Sequence, residues 1–134
     1  MSTFDVLRIS GSGLYANRKW MDAVSDNLAN IDTATSTDQS AFQERMVVVR
    51  AADYGSGAGG VQVAGAQFGS AEGRVVHEPD NPLADADGNV RYPDIDMGDQ
   101  MTQMMMAQRS YQANLASIDR ATNAYQAALQ LGKG

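Results

Sequence analysis

Residues that could do chemistry are few in this sequence. His77 is the only histidine, and it stands beside Glu78. A solitary imidazole makes neither a metal site nor a relay. A nucleophile, histidine and carboxylate arrangement would need His77 by elimination, and no serine sits in a strand-to-helix elbow to complete it. A surface polar role is the favoured reading of His77. GSGLYA at 11–16 and GSGAGG at 55–60 invite comparison with phosphate cradles. The first lies inside a helical pattern and follows no strand. The second has no helix after it and lacks the lysine and hydroxyl pair, so a kink and a turn are the expectations. DADGN at 85–89 resembles the start of a calcium loop, with Asp85, Asp87 and Asn89 offering oxygens. The glycine of such a loop would fall at Val90, however, and Asp96 replaces the bidentate glutamate, which favours an Asp-Gly turn. Met104, Met105 and Met106 could suggest a soft metal, but successive helical positions point to different faces and packing is the better reading. No catalytic residue, cofactor or metal site is expected.

The elements that would position any site must then be read from composition and period. With 134 residues the chain is about one domain long, and 43% apolar composition suffices for a core. Acidic residues outnumber Lys and Arg by 16 to 10, for a net charge of −6. The one adjacent basic pair is Arg18 and Lys19, so nucleic acid is an unfavourable partner. The absence of cysteine excludes disulfides and thiolate metal sites. No cleaved secretory signal and no transmembrane segment are expected, which points to the cytoplasm unless a dedicated machine exports the chain uncleaved.

The strongest pattern is C-terminal. Steps of four and three from Met97 visit Met101, Met104, Gln108, Tyr111, Leu115, Ile118, Thr122, Tyr125 and Leu129, the 3.5-residue repeat of a supercoiled helix. Asp96 with Asp99 would cap its start and Gly132 its end. The N-terminus carries the same period more weakly. Leu7, Leu14, Met21 and Leu28 lie seven apart, Val24 and Ile31 supply the other half of the stripe, and Ser10 and Asn17 leave polar gaps in it. Ser2 and Asp5 suit an opening cap. Glycines 11 and 13 would cost about 1 kcal/mol each in a helix interior, tolerable where the helix kinks or another backbone approaches. Helices over about 4–31 and 97–131 would be roughly 40 and 50 Å long, with stripes that could face each other. Gln108 and Tyr111, on the stripe, are expected to set register through hydrogen bonds.

The middle differs in texture. TATSTDQS at 33–40 reads as a connector, 42–50 as a strand, and VQVAGAQF and GRVVHE as short strands forming a hairpin or three-stranded patch. EPDNPLADADGNVRYP reads as turns returning the chain to the last helix. The expected class is α+β: long N- and C-terminal helices packed as a coiled-coil-like pair, with a small irregular β-containing middle. The divisions fall at 1–33, 34–95 and 96–134.

Together the terminal segments carry a resemblance. GLYANRKWMDAVSDNLANIDT at 13–33 resembles the N-terminal signature of the bacterial flagellar rod and hook family, and QRSYQANL at 108–115 resembles its C-terminal motif. NPLADADGNVRYPDIDM at 81–97 is similar to the corresponding segment of a proximal-rod member. The resemblance implies a non-enzymatic structural subunit, exported uncleaved and polymerising in the periplasm with copies of itself and other rod proteins. Inner-ring or export-apparatus components would adjoin it, and the flagellar export machinery would carry it.

Carried over residue by residue, the resemblance makes Asn27, Leu28, Ala29 and Asn30 the assembly motif of the first helix. Gln108, Arg109, Ser110, Tyr111, Gln112, Ala113 and Asn114 form that of the second. The expected assembly interface joins these to the stripes: Leu7, Leu14, Met21, Val24 and Ile31, then Met101, Met104, Leu115, Ile118, Tyr125 and Leu129. The competing reading is a soluble helical adaptor or export-associated binding module that uses the Met-rich face and forms a finite complex.

Overall fold

The structure is a computed structural model that describes residues 2–53, 55 and 59–132. Its first element, α1 (Thr3–Asn30), begins where the sequence supplies both halves of a capping box. The Asp5 N–H donates to Ser2 Oγ at 3.2 Å and the Ser2 N–H donates to Asp5 Oδ2 at 2.8 Å. The last, α2 (Met97–Leu131), opens on the Asp99 N–H donating to Asp96 Oδ1 at 2.7 Å and closes with the Gly132 N–H on the Ala128 carbonyl. Between them lie β1 (Arg45–Ala52), β2 (Gly60–Phe68), β3 (Arg74–His77) and β4 (Asn89–Tyr92). The fold is α+β, as expected.

The two helices run antiparallel. Phe4 meets Tyr125 edge-on, with ring centroids 5.8 Å apart. Further along, Asn17 Nδ2 donates to Ser110 Oγ at 2.9 Å and Trp20 Nε1 to Gln103 Oε1 at 3.2 Å. Buried Ser10, Asn17, Val24 and Asn27 on α1 lie over the same seam as buried Gln100, Ala107 and Ala121 on α2. At Gly13 the helices come so close that a Cβ would lie 2.7 Å from the Asn114 amide nitrogen. The seam on α2 therefore steps through 100, 103, 107, 110, 114 and 121, one residue short of the expected stripe at 101, 104, 108, 111, 115 and 122.

This displacement has a packing cause. Axial separation follows the size of the side chains between the helices, so small residues and short amides take the line of closest approach. The long Met, Leu and Tyr side chains flank it. Gln108, expected to fix register from within the seam, is exposed. Gln100, at 1% exposure, holds that place instead.

The strands form two separate antiparallel pairs: β1 with β2 is the expected hairpin, and β3 pairs with β4 instead of adding a third strand to it. β1 starts three residues later than the propensity of 42–50 suggested. Its ladder to β2 is interrupted between Val48 and Val49, opposite Gly65, whose φ of 151° admits the irregularity. β4 lies in a stretch read as turns. Asp85 explains it: Oδ1 accepts the N–H groups of Asp87 at 3.0 Å and Asn89 at 2.9 Å, and Oδ2 accepts the Thr37 hydroxyl at 2.7 Å. The Asp-Gly turn thus delivers Asn89 into a strand, and Val90 becomes fully buried. Gly88 adopts φ 77° in that turn, where a Cβ would also meet the His77 ring. Arg91 stitches the connector to this sheet. Its backbone exchanges hydrogen bonds with Thr35, and its guanidinium donates to the carbonyls of Thr37 and Glu72. Among the described residues, neither β3 nor β4 brings a Cα within 8 Å of a Cα of α1, α2 or the β1–β2 hairpin. Residues 56–58 of the GSGAGG turn lie outside the described residues.

Candidate assembly interface

The two motif-bearing helices present two chemically different surfaces. The inner one is polar and satisfied. Asn27, 1% exposed, behaves toward β1 like a neighbouring strand: its Oδ1 accepts the Arg45 N–H at 2.8 Å and its Nδ2 donates to the Arg45 carbonyl at 3.0 Å. The same Nδ2 lies 2.9 Å from Gln100 Oε1, and Gln100 Nε2 donates to Glu44 Oε1 at 2.6 Å. Two buried amides thereby tie α1, α2 and the root of the hairpin together. Such groups are stabilising only while every partner is present. The exposed Arg45–Asp26 ion pair beside them, at 2.7 Å, adds little.

The outer surface is apolar and unfilled. Met97, Met101 and Met105 stand one turn apart on α2, each more than half exposed. Leu115, Tyr125 and Leu129 continue the exposed apolar positions at 43%, 45% and 49%. Met104, Tyr111, Asn114 and Ile118 are half-buried beside the seam, as are Leu7, Leu14, Met21, Leu28 and Asn30 on α1, while Ala29 is exposed. Val24, Asn27 and Ile31 are buried within the chain itself. Asn30 serves its own helix end: its Nδ2 donates to the Asp26 carbonyl at 2.8 Å, and its Oδ1 accepts the Thr33 hydroxyl at 3.4 Å.

Sequence reasoning missed Gln100, Gln103, Ser12 and Glu44. For the two glutamines a signal existed. Gln100, Gln103, Ala107, Ser110, Asn114, Ser117 and Ala121 form a heptad of small and amide residues, invisible to a search weighted by hydrophobicity.

Between α1, α2 and the hairpin lies a mainly apolar groove of about 550 Å³, walled by Ile9, Ala16 and Trp20 on one side and Val47, Val49 and Val61 on the other. Away from the helices, His77 Nδ1 lies 3.2 Å from Asn89 Oδ1 on an exposed strand end. The Asp85 carboxyl is held below its ordinary value, chiefly by the Asn89 N–H and then by the Thr37 hydroxyl. Its oxygens serve the turn. Among the described residues, no group of three or more His, Asp or Glu side chains is placed to hold a metal ion, and no helix is long and apolar enough to cross a membrane.

Two long terminal helices paired through small and amide residues, the second with exposed Met, Leu and Tyr side chains on its outer face, define a subunit of the axial type. Comparison with known proteins is specific on both helices. Residues 7–34 match the model for flagella basal body rod proteins, and residues 86–131 match that for the C-terminal region of the flagellar basal body rod FlgEFG proteins. Over 99% of its length the chain is 37% identical to the flagellar basal-body rod protein FlgC of Salmonella typhimurium, covering all of that protein. It is 36% identical to FlgC of Escherichia coli O157:H7 and 29% identical to FlgC of Bacillus subtilis, again over the whole of each relative. The chain belongs to the flagellar basal-body rod protein family, and its full-length likeness within that family is to FlgC.

Proposed function

We propose that this chain is a structural subunit of the proximal rod of the bacterial flagellar basal body, polymerising into the drive shaft that transmits torque to hook and filament. The observation that carries this reading is the arrangement of α2. Small and amide side chains fill its seam with α1, while Met101, Met105, Leu115, Tyr125 and Leu129 face outward, where copies of the chain and other rod proteins would bury them. Burying a Leu or Met side chain is worth about 1.5–3 kcal/mol, so a few such residues per neighbour suffice for a stable contact. Contacts of this kind repeat without closing when the two surfaces differ, which suits a helical shaft. Torque then passes through packing, and no reaction is assigned to the chain.

The subunit reaches the periplasm through the flagellar export machinery without cleavage and adjoins inner-ring or export-apparatus components there. Its assembly contacts are the outward stripe residues, with Asn27, Val24 and Ile31 acting from inside by holding α1 in place. In dilute solution the distal turns of the terminal helices, away from the Asn27–Gln100 contact, are loosely ordered and gain helix on meeting rod partners, because the thin seam there offsets little of the entropy of ordering them. Circular dichroism of the free chain tests this: two full-length stable helices in the monomer would refute it.

Replacing Leu115 and Ile118 together with Asp tests the assembly surface. Incorporation into rods should stop while the middle stays folded, and normal rods built from this variant would overturn the assignment. The adaptor reading predicts a finite complex on the Met-rich face. An electron-microscopy image of the native assembly separates that from a shaft.

A further inference from the structure

The hairpin is fastened to the helices at its root and near its far end, and the two fastenings differ in kind. Near the far end the Val61 N–H donates to Ser12 Oγ at 3.0 Å, while the Ser12 hydroxyl donates to the Ile9 carbonyl at 2.7 Å. That contact requires α1 alone. At the root the Arg45 N–H is received by Asn27 of α1, Asn27 Nδ2 reaches Gln100 of α2, and Gln100 reaches back to Glu44 just ahead of β1. That contact requires both helices. Between the fastenings the hairpin bridges the 550 Å³ groove, with Val47, Val49 and Val61 lining it opposite Ile9, Ala16 and Trp20.

We infer that the Asn27–Gln100 amide joint couples docking of the β1–β2 hairpin to correct register of the helix pair. Heptad seams slip by seven residues, and such a slip of α2 would set Pro93 or Ala107 opposite Asn27. Neither carries a side-chain amide. Asn27 would then be buried with a bond unmade, and the hairpin root would lose the arrangement that receives it. Coupling of this kind is reciprocal: a neighbour that clamps the helices orders the hairpin, and a partner that holds the hairpin tightens the helices. The groove, whose two walls belong to the hairpin and the helices, exists only in the docked state.

The test is residue-resolved amide exchange on the full chain, with the Arg45 amide reporting root docking, Val61 the far end and Ala107 the helix seam. Two variants perturb the helices without removing a bond to the hairpin backbone. Gln100→Ala deletes the α2 half of the joint. Gly13→Leu wedges the seam about 20 Å from Asn27 along α1, where even a Cβ would lie 2.7 Å from the Asn114 amide. Each should raise exchange at Ala107 and Arg45 by a common factor, about tenfold. Ser12→Ala should raise exchange at Val61 and leave Arg45 and Ala107 unchanged. Should a variant unfold, the wild-type chain in rising urea supplies the same readout, since Arg45 and Ala107 must lose protection at one midpoint. Protection of Arg45 that persists after Ala107 has lost its own, in a variant or in urea, overturns the coupling. Because the readout involves no assembly, its failure would leave the rod reading untouched.

Discussion

Glycines 11 and 13 sit two residues apart in one helix and look alike in the sequence, yet they should respond oppositely to the same substitution. A Cβ on Gly11 meets nothing within 4 Å, so Gly11→Ala should stabilise the chain by roughly 0.5–1 kcal/mol through helix propensity alone. At Gly13 the new methyl would displace the Asn114 amide, which donates to the Ser110 carbonyl at 3.1 Å, so the gain is offset. Urea unfolding of Gly13→Ala alone and together with Asn114→Ala checks this: only in the double variant should the alanine be favourable over Asn114→Ala alone. The sequence shows the cost of each glycine but not what stands opposite, because the facing residue lies about a hundred positions away.

Asp85 offers a second residue-scale prediction. Its carboxyl is held below the ordinary 3.8 by the Asn89 N–H, so the charged form is favoured in the folded chain. Stability from this source is fully present above that value and lost as the pH falls through the depressed folded one. The NMR signals of Asn89 and Thr37 should therefore move together in acid below pH 3.8, and Asp85→Asn should abolish that transition.

Among the elements, both helices and three of the four caps were legible, because capping residues and heptads are local signals. β4 was not. Its four residues, NVRY, become a strand only because the Asp85 turn sets them beside β3. Gly73 shows how tightly that pair is closed. It adopts φ 58°, and a Cβ there would fall on the Tyr92 carbonyl and within 2.7 Å of Ala41 Cβ. Gly73→Ala should cost about 2–3 kcal/mol and disorder β3 and β4. Retention of the helical circular-dichroism signal, with loss of the β3–β4 amide cross-peaks, is the expected pattern.

For the whole molecule, the sequence disclosed two long stripes that need neighbours, and the family resemblance supplied the neighbours. On α1 the half-stripe of Ser10, Asn17, Val24 and Ile31 is the one the chain buries, whereas on α2 the reading misjudged which stripe the chain keeps for itself. Hydrophobicity marks the side chains with most to gain from burial, whereas close approach selects the smallest ones, and here the two sets lie a residue apart. The difference decides what a substitution does. Met101 and Met105 are 55% and 54% exposed, so changing both to Glu should alter the stability of the free chain by no more than about 0.5 kcal/mol each. The same change should exclude the chain from rods, as measured by its recovery in purified basal bodies.

The standoff of β3 and β4 from the helices bears on mechanics. In a shaft under twist, strain follows the stiffest continuous route, which in this chain is the amide-laced contact between α1 and α2. Strands whose Cα atoms keep more than 8 Å from that route are joined to it through connecting segments, and lie off the load path. They are free to vary in length and shape among rods without softening the spindle.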